Sequence, residues 1–147
     1  MTVKPIPDGY HAVSPTMNVK GADKAIDFYR EVFGAKERMR MKGPSGAIMH
    51  AEIEVGDSVV MLTEAQRDPV FNLSAMLYVK DSDAVFGKAV AAGSTVKMPL
   101  QDLPWGDRGG TVIDPFGNQW FIATHKEDVP EDEINRRMEK MMQQQAR

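Results

Sequence analysis

The chain contains no cysteine. Disulfides, thiolate-held metals and cysteine nucleophiles are therefore excluded. Basic residues form no cluster outside the mixed-charge C-terminal stretch, and 18 Lys and Arg against 21 Asp and Glu leave a formal charge of −3. With a pI near 5.6 the chain lacks the electrostatic footprint of a protein that binds nucleic acid or an anionic membrane. No apolar run approaches the length of a membrane span. The opening residues, MTVKPIPDGYH, lack the apolar centre of a signal peptide, so a cytoplasmic protein is expected. Small molecules and protein remain as the expected partners.

What is present is ordinary globular material: 147 residues, 42% hydrophobic and 27% charged, enough for one domain with a core. Two stretches repeat, "NVKGADKAIDFYREVFGAKERM" at 18–39 and "YVKDSDAVFGKAVAAGSTVKM" at 78–98, with Val19 aligned on Val79, Lys20 on Lys80 and Asp23 on Asp83. Each copy reads as a short strand, a polar turn, an amphipathic helix and a closing glycine. In the first helix Ala25, Ile26, Phe28, Tyr29, Val32 and Phe33 form the apolar face and Gly34 the stop. In the second, Ser82 is the expected N-cap, Val85, Phe86, Ala89 and Val90 form the face, and Gly93 ends it. Strand-like runs follow at 47–55 and 58–63, then at about 95–98, 110–114 and 119–124. The expected fold is therefore α+β: two βαβββ modules (about 10–65 and 72–125) within one domain, 1–127. A C-terminal tail, 128–147, carries a helix striped with Ile134, Met138 and Met141 and has Pro130 suited to its first turn.

Strand alternation assigns faces. A two-residue turn at Gly56-Asp57 would pair Val55 with Ser58, Ile53 with Val60, Glu52 with Met61 and His50 with Thr63. Ala51, Ile53, Val55, Val60 and Leu62 then face the helices, and His50, Glu52, Glu54, Val59, Met61 and Thr63 face the other way. By the same rule Ser14, Thr16 and Asn18, then Ser74, Met76 and Tyr78, then Gln119, Phe121 and Ala123 share that second face. Trp120 is expected in the core, and His11 and His125 on the surface.

The stretch PWGDRGGTVIDPFGNQWF at 104–121 divides in two. Asp114-Pro115-Phe116-Gly117-Asn118 is turn chemistry, with Pro where φ near −65° is wanted and Gly-Asn where positive φ is wanted. Trp105-Gly106-Asp107-Arg108-Gly109-Gly110 fits neither a strand interior nor a polar loop. Trp105 is expected to anchor either the loop or a ligand, and Asp107 and Arg108 either to pair with each other or to rim a cavity. The glycines would then let backbone pass close to a ligand.

The "AIDFYREVFGA" helix and the "DPFGN" hairpin in paired βαβββ modules resemble the vicinal oxygen chelate superfamily, which includes glyoxalase I, the fosfomycin and bleomycin resistance proteins and the extradiol dioxygenases. The resemblance covers residues of about 10–125. It implies half-barrel modules that close a cavity, often around a divalent metal, and frequent pairing into homodimers. Carried onto this sequence, the metal-ligand positions of the family fall on Ser14, Met61, Ser74 and Phe121. Two hydroxyls, a thioether and a hydrocarbon ring are poor ligands, so neither metal nor cofactor is expected.

Three functions follow as expectations. The first is a metal-independent small-molecule binder, sequestering an aromatic or antibiotic-like compound with Trp105, Asp107, Arg108, Met61, Ser14, Ser74, Met76 and Phe121. The second is a lyase, isomerase or oxygenase-like enzyme with His50 and Glu52 as acid and base. The third is a structural or interaction protein with a collapsed cavity.

Overall fold

The computed structural model describes residues 3–65 and 72–146. The first module runs β1 (Thr16–Val19), α1 (Ala22–Phe33), β2 (Lys36–Lys42), β3 (Ile48–Val55) and β4 (Ser58–Glu64). The second runs β5 (Ser74–Tyr78), α2 (Ser82–Ala91), β6 (Thr95–Asp102), β7 (Asp107–Ile113) and β8 (Gln119–His125), and α3 (Glu131–Gln145) follows. Each module is its own four-stranded mixed sheet, ordered β1-β4-β3-β2 and β5-β8-β7-β6. The first and last strands of a module pair in parallel and the others antiparallel. This is the duplicated βαβββ fold that the sequence predicts.

The β3–β4 hairpin takes the expected register, with Val55 opposite Ser58, Ile53 opposite Val60 and Glu52 opposite Met61. Gly56 occupies the turn at φ 60°, a conformation that L side chains rarely adopt. Ala51, Ile53, Val55, Val60 and Leu62 are buried, as alternation requires.

Three local expectations are corrected. Strand β2, "KERMRMK", carries its only apolar residues at Met39 and Met41, too weak a pattern for the strand to be read from sequence. The N-cap of α2 is Asp81, whose carboxylate accepts from Ala84 N, and not Ser82. Ser82 is buried and spans strands instead: its N–H donates to Thr124 Oγ1 and its hydroxyl to the Arg108 carbonyl. Finally, β7 begins at Asp107, three residues before the strand-like run expected at about 110, so Asp107, Arg108 and Gly109 are strand as well.

The helix-side faces of the two sheets meet in one core. Residues of α1 reach across the modules: the Phe33 and Tyr29 rings lie 4.8 and 5.5 Å from Trp120. Such tilted ring pairs add about 0.5–1.5 kcal/mol beyond area burial. Beneath them Asp114 is a buried polar hub. Its carboxylate accepts from Tyr29 Oη at 2.5 Å, Trp120 Nε1 at 2.8 Å, and the backbone N–H of Phe116 and Asn118 at 2.8 and 2.9 Å. Burial, with Asp114 beside it, pushes the Tyr29 phenol far above its ordinary range. The hydroxyl thus stays a donor at any physiological pH. The DPFGN turn therefore fastens one module to the other, a role its turn chemistry alone does not reveal.

The C-terminal helix α3 buries no residue. Its ties to the domain include Arg137, whose guanidinium bonds Glu127 and the Pro104 carbonyl. Among the described residues no helix is long and apolar enough to cross a membrane.

Candidate functional site

With their helix-side faces committed to the shared core, the two sheets leave their opposite faces open. Each open face carries a buried carboxylate that accepts from a tyrosine and contacts a histidine. On the first module this is Glu52, 5% exposed, in the middle of β3. The Tyr10 hydroxyl lies 2.8 and 2.6 Å from its two oxygens, and His50 Nε2 lies 3.4 Å from Oε1. Arg38 stacks on the Tyr10 ring at 4.7 Å. The Tyr10 hydroxyl is the largest influence holding the Glu52 carboxyl below the usual range, and burial opposes it. Met61 stands opposite Glu52 on β4 and Met39 opposite it on β2, so both flank the carboxylate.

On the second module the carboxylate is Asp107, at the first position of β7 and 2% exposed. It accepts from Tyr78 Oη at 2.9 Å and Trp105 Nε1 at 3.0 Å, and His125 Nδ1 lies 2.8 Å from its second oxygen. Phe121 extends the group, its ring 6.5 Å from Trp105. Met76 (47% exposed) and Tyr78 (55% exposed) lie beside it on β5. A groove of about 710 Å³ runs past Leu77, Tyr78, Val79 and His125. A second, of about 500 Å³, is lined by Val55, Val60, Leu73, Met76, Tyr78 and Trp120.

The structure therefore brings Trp105, Asp107, Phe121 and Met76 to one open face, and His50, Glu52 and Met61 to the other. Among the described residues no hydrogen bond, ion pair or ring contact joins these two groups. Ser14 precedes β1 and is half-buried, while Ser74 opens β5, exposed, and accepts from Gln119 Nε2.

Arg108 is misplaced by the sequence reading. Next to Asp107 in a strand, it must point to the opposite face. It pairs with Asp83 of α2 at 2.8 Å and with Asp102 at 3.3 Å, so the expected Asp107–Arg108 ion pair does not form and Arg108 is no part of the open face. The glycines are likewise filled by protein: a Cβ on Gly106 would lie 2.1 Å from the Glu127 carbonyl oxygen, and one on Gly109 2.7 Å from that of Ile122. They admit neighbouring backbone, not a ligand.

Tyr10, Tyr78 and His125 complete the two groups, and sequence reasoning gave none of them a role. Alternation did place Tyr78 on the correct face. Nothing local marks Tyr10, which reaches Glu52 from 42 residues away.

The positions that the family resemblance equates with metal ligands hold Ser14, Met61, Ser74 and Phe121, and among the described residues no three His, Asp or Glu are grouped to hold an ion. The donor set does not fit a divalent metal.

Comparison with known proteins shows the family and the fold. The family model described as Glyoxalase/Bleomycin resistance protein/Dioxygenase superfamily matches residues 11–122. The uncharacterized protein Mb0911c of Mycobacterium bovis is 38% identical over 142 residues, covering 86% of this chain and 91% of its own. Among solved structures, TioX from Micromonospora sp. ML1 superposes with a TM-score of 0.63 at 28% identity, covering 78% of this chain and 99% of its own. Lactoylglutathione lyase from Agrobacterium tumefaciens, at 20% identity and a TM-score of 0.59 over 82% of this chain and 96% of its own, shares the fold.

Proposed function

Because the chain belongs to the glyoxalase, bleomycin resistance protein and dioxygenase superfamily, we propose that it binds a small aromatic or antibiotic-like molecule, without a metal ion, on the open face of the second module. The observation that carries this reading is the aromatic and thioether surface of Trp105, Phe121, Tyr78 and Met76 around the buried Asp107 carboxylate. Large apolar groups, exposed at Met76 and Tyr78 and half-buried at Trp105 and Phe121, around a fixed polar one are what a ligand site requires. An acid–base role for His50 and Glu52 is less well supported. Glu52, held ionised by Tyr10, has no proton to give as a general acid near neutral pH.

Screening a diverse compound library by thermal shift tests the reading. A ligand present at a hundred times its Kd stabilises the fold by about 2.7 kcal/mol, well within detection. A stabilising aromatic compound recovered chemically unchanged is the expected result. Turnover of that compound would instead support an enzyme, and a library without any stabilising member would support a structural protein.

A second copy of the chain is the proposed partner. Met39 and Met41 on the first open face, Met76 and Tyr78 on the second, and Met142 on α3 are all more than 40% exposed. Two copies that set first module against second would cover them and bring the Glu52 and Asp107 groups together. Light scattering at micromolar concentration should give twice the 16.3 kDa of one chain. A monomer mass would contradict the pairing.

A further inference from the structure

The imidazole of His125 is held between two carboxylates, with Nδ1 2.8 Å from Asp107 Oδ1 and Nε2 2.7 Å from Asp128 Oδ1. Both contacts need a ring N–H, so this arrangement belongs to the imidazolium, whereas a neutral ring keeps one donor only. The two acids are unequal. The Asp107 side chain is 1% exposed and also holds Tyr78 and Trp105, whereas that of Asp128 is fully exposed. A ring that loses a proton therefore keeps Nδ1–H on Asp107 and gives up Asp128. The Nε2 lone pair is then uncovered, on a residue that with Tyr78 also lines the 710 Å³ groove. A buried carboxylate fixing one imidazole nitrogen while the other is left free to accept is the arrangement of an oriented base.

We propose that Asp107, His125 and Tyr78 form a proton-accepting site for the acidic hydroxyl of a phenol- or enol-type ligand, an inference that rests on the small-molecule reading above. The ligand O–H bond breaks and its proton passes to His125 Nε2. The electron pair stays on the ligand oxygen, and the resulting oxyanion accepts the new Nε2–H. Asp107 remains ionised throughout and stabilises the imidazolium through Nδ1–H. Tyr78, its phenol pushed up by burial and by Asp107, stays protonated and keeps donating to that carboxylate.

The site has a pH direction. Asp128 first, then Asp107, raise the His125 pKa above its ordinary value. The groups facing the ring are Asp107 from β7, Tyr78 from β5 and Asp128 from the segment after β8, with Lys80 and Asp81 lining the same groove. A raised folded-state value means that the link to Asp128 is complete below the unfolded pKa and is lost as pH rises through the folded one. Access of a hydroxyl to Nε2 therefore improves as pH rises through that folded value.

The test uses 4-nitrophenol, coloured only as the phenolate, and its methyl ether 4-nitroanisole, which has no proton to give. Tryptophan fluorescence reads binding of each and visible absorbance reads ionisation of the phenol. The phenol should bind about tenfold more tightly than the ether and, when bound, ionise about one pH unit below the free compound. His125→Gln should abolish both differences while weak binding persists. Asp128→Asn, on a fully exposed residue, should tighten binding of the phenol and leave the ether unchanged. Equal binding of phenol and ether, or a bound phenol that titrates like the free one, would overturn the proton-accepting site and leave the small-molecule reading standing. Absence of binding by both compounds would count against both.

Discussion

Replacing Asp114 by alanine should destabilise the protein by about 3–5 kcal/mol, the scale on which buried charged networks fail when one partner is removed. Four donors lose their acceptor at once: Tyr29 Oη, Trp120 Nε1 and the backbone N–H of Phe116 and Asn118. Tyr29, Trp120 and Asn118 are all 2% exposed or less, so water cannot take over without opening the core. Because Tyr29 belongs to the first module and Asp114 to the second, both sheets should lose stability together. Urea unfolding of the variant, followed by circular dichroism, measures this. A loss below about 1 kcal/mol, the worth of one ordinary hydrogen bond, would show that the hub does not join the modules.

The second large effect is expected at Gly110. A Cβ there would lie 2.7 Å from Phe86 Cε2, 2.8 Å from the Met98 carbonyl oxygen and 2.9 Å from Leu100 N. Two of those atoms are backbone and cannot swing aside. Gly110→Ala should therefore destabilise by about 2–3 kcal/mol, as overpacking of a tight core does. Gly34→Ala makes the contrast: a Cβ there meets nothing within 4 Å, and only the left-handed φ of 66° opposes it, at a cost of about 1 kcal/mol. The same unfolding measurement ranks the two. A larger loss at Gly34 than at Gly110 would show that β7 has room to move away from α2 and β6.

The fold was legible because it is written locally and twice. The β3–β4 register followed from one turn and five alternating apolar residues, Ala51, Ile53, Val55, Val60 and Leu62. The site was legible only as faces. Alternation placed Glu52, Met61, Met76, Tyr78 and Phe121 correctly because side-chain direction in a strand has a fixed period of two. Applied to Asp107 and Arg108 it would have separated them too, had β7 been recognised to begin at Asp107. Three glycines and a tryptophan kept that segment from reading as strand. What alternation could not supply is pairing at long range. Tyr10 finds Glu52 across 42 residues and Tyr78 finds Asp107 across 29, contacts set by how strands stack and not by any local pattern.

The central claim, that ligand binds the second open face, is tested most directly at Trp105. The indole is half-buried, donates to Asp107 and lies beside Phe121. If it is the aromatic wall of a binding site, Trp105→Ala should weaken binding of a stabilising compound by about 1–3 kcal/mol, the usual loss on truncating such an anchor. Its melting temperature without ligand should move only slightly. One titration paired with thermal melts of both proteins decides it. Unchanged affinity together with a stability loss of about 3–5 kcal/mol, typical of a core aromatic, would contradict the account and make Trp105 a packing residue.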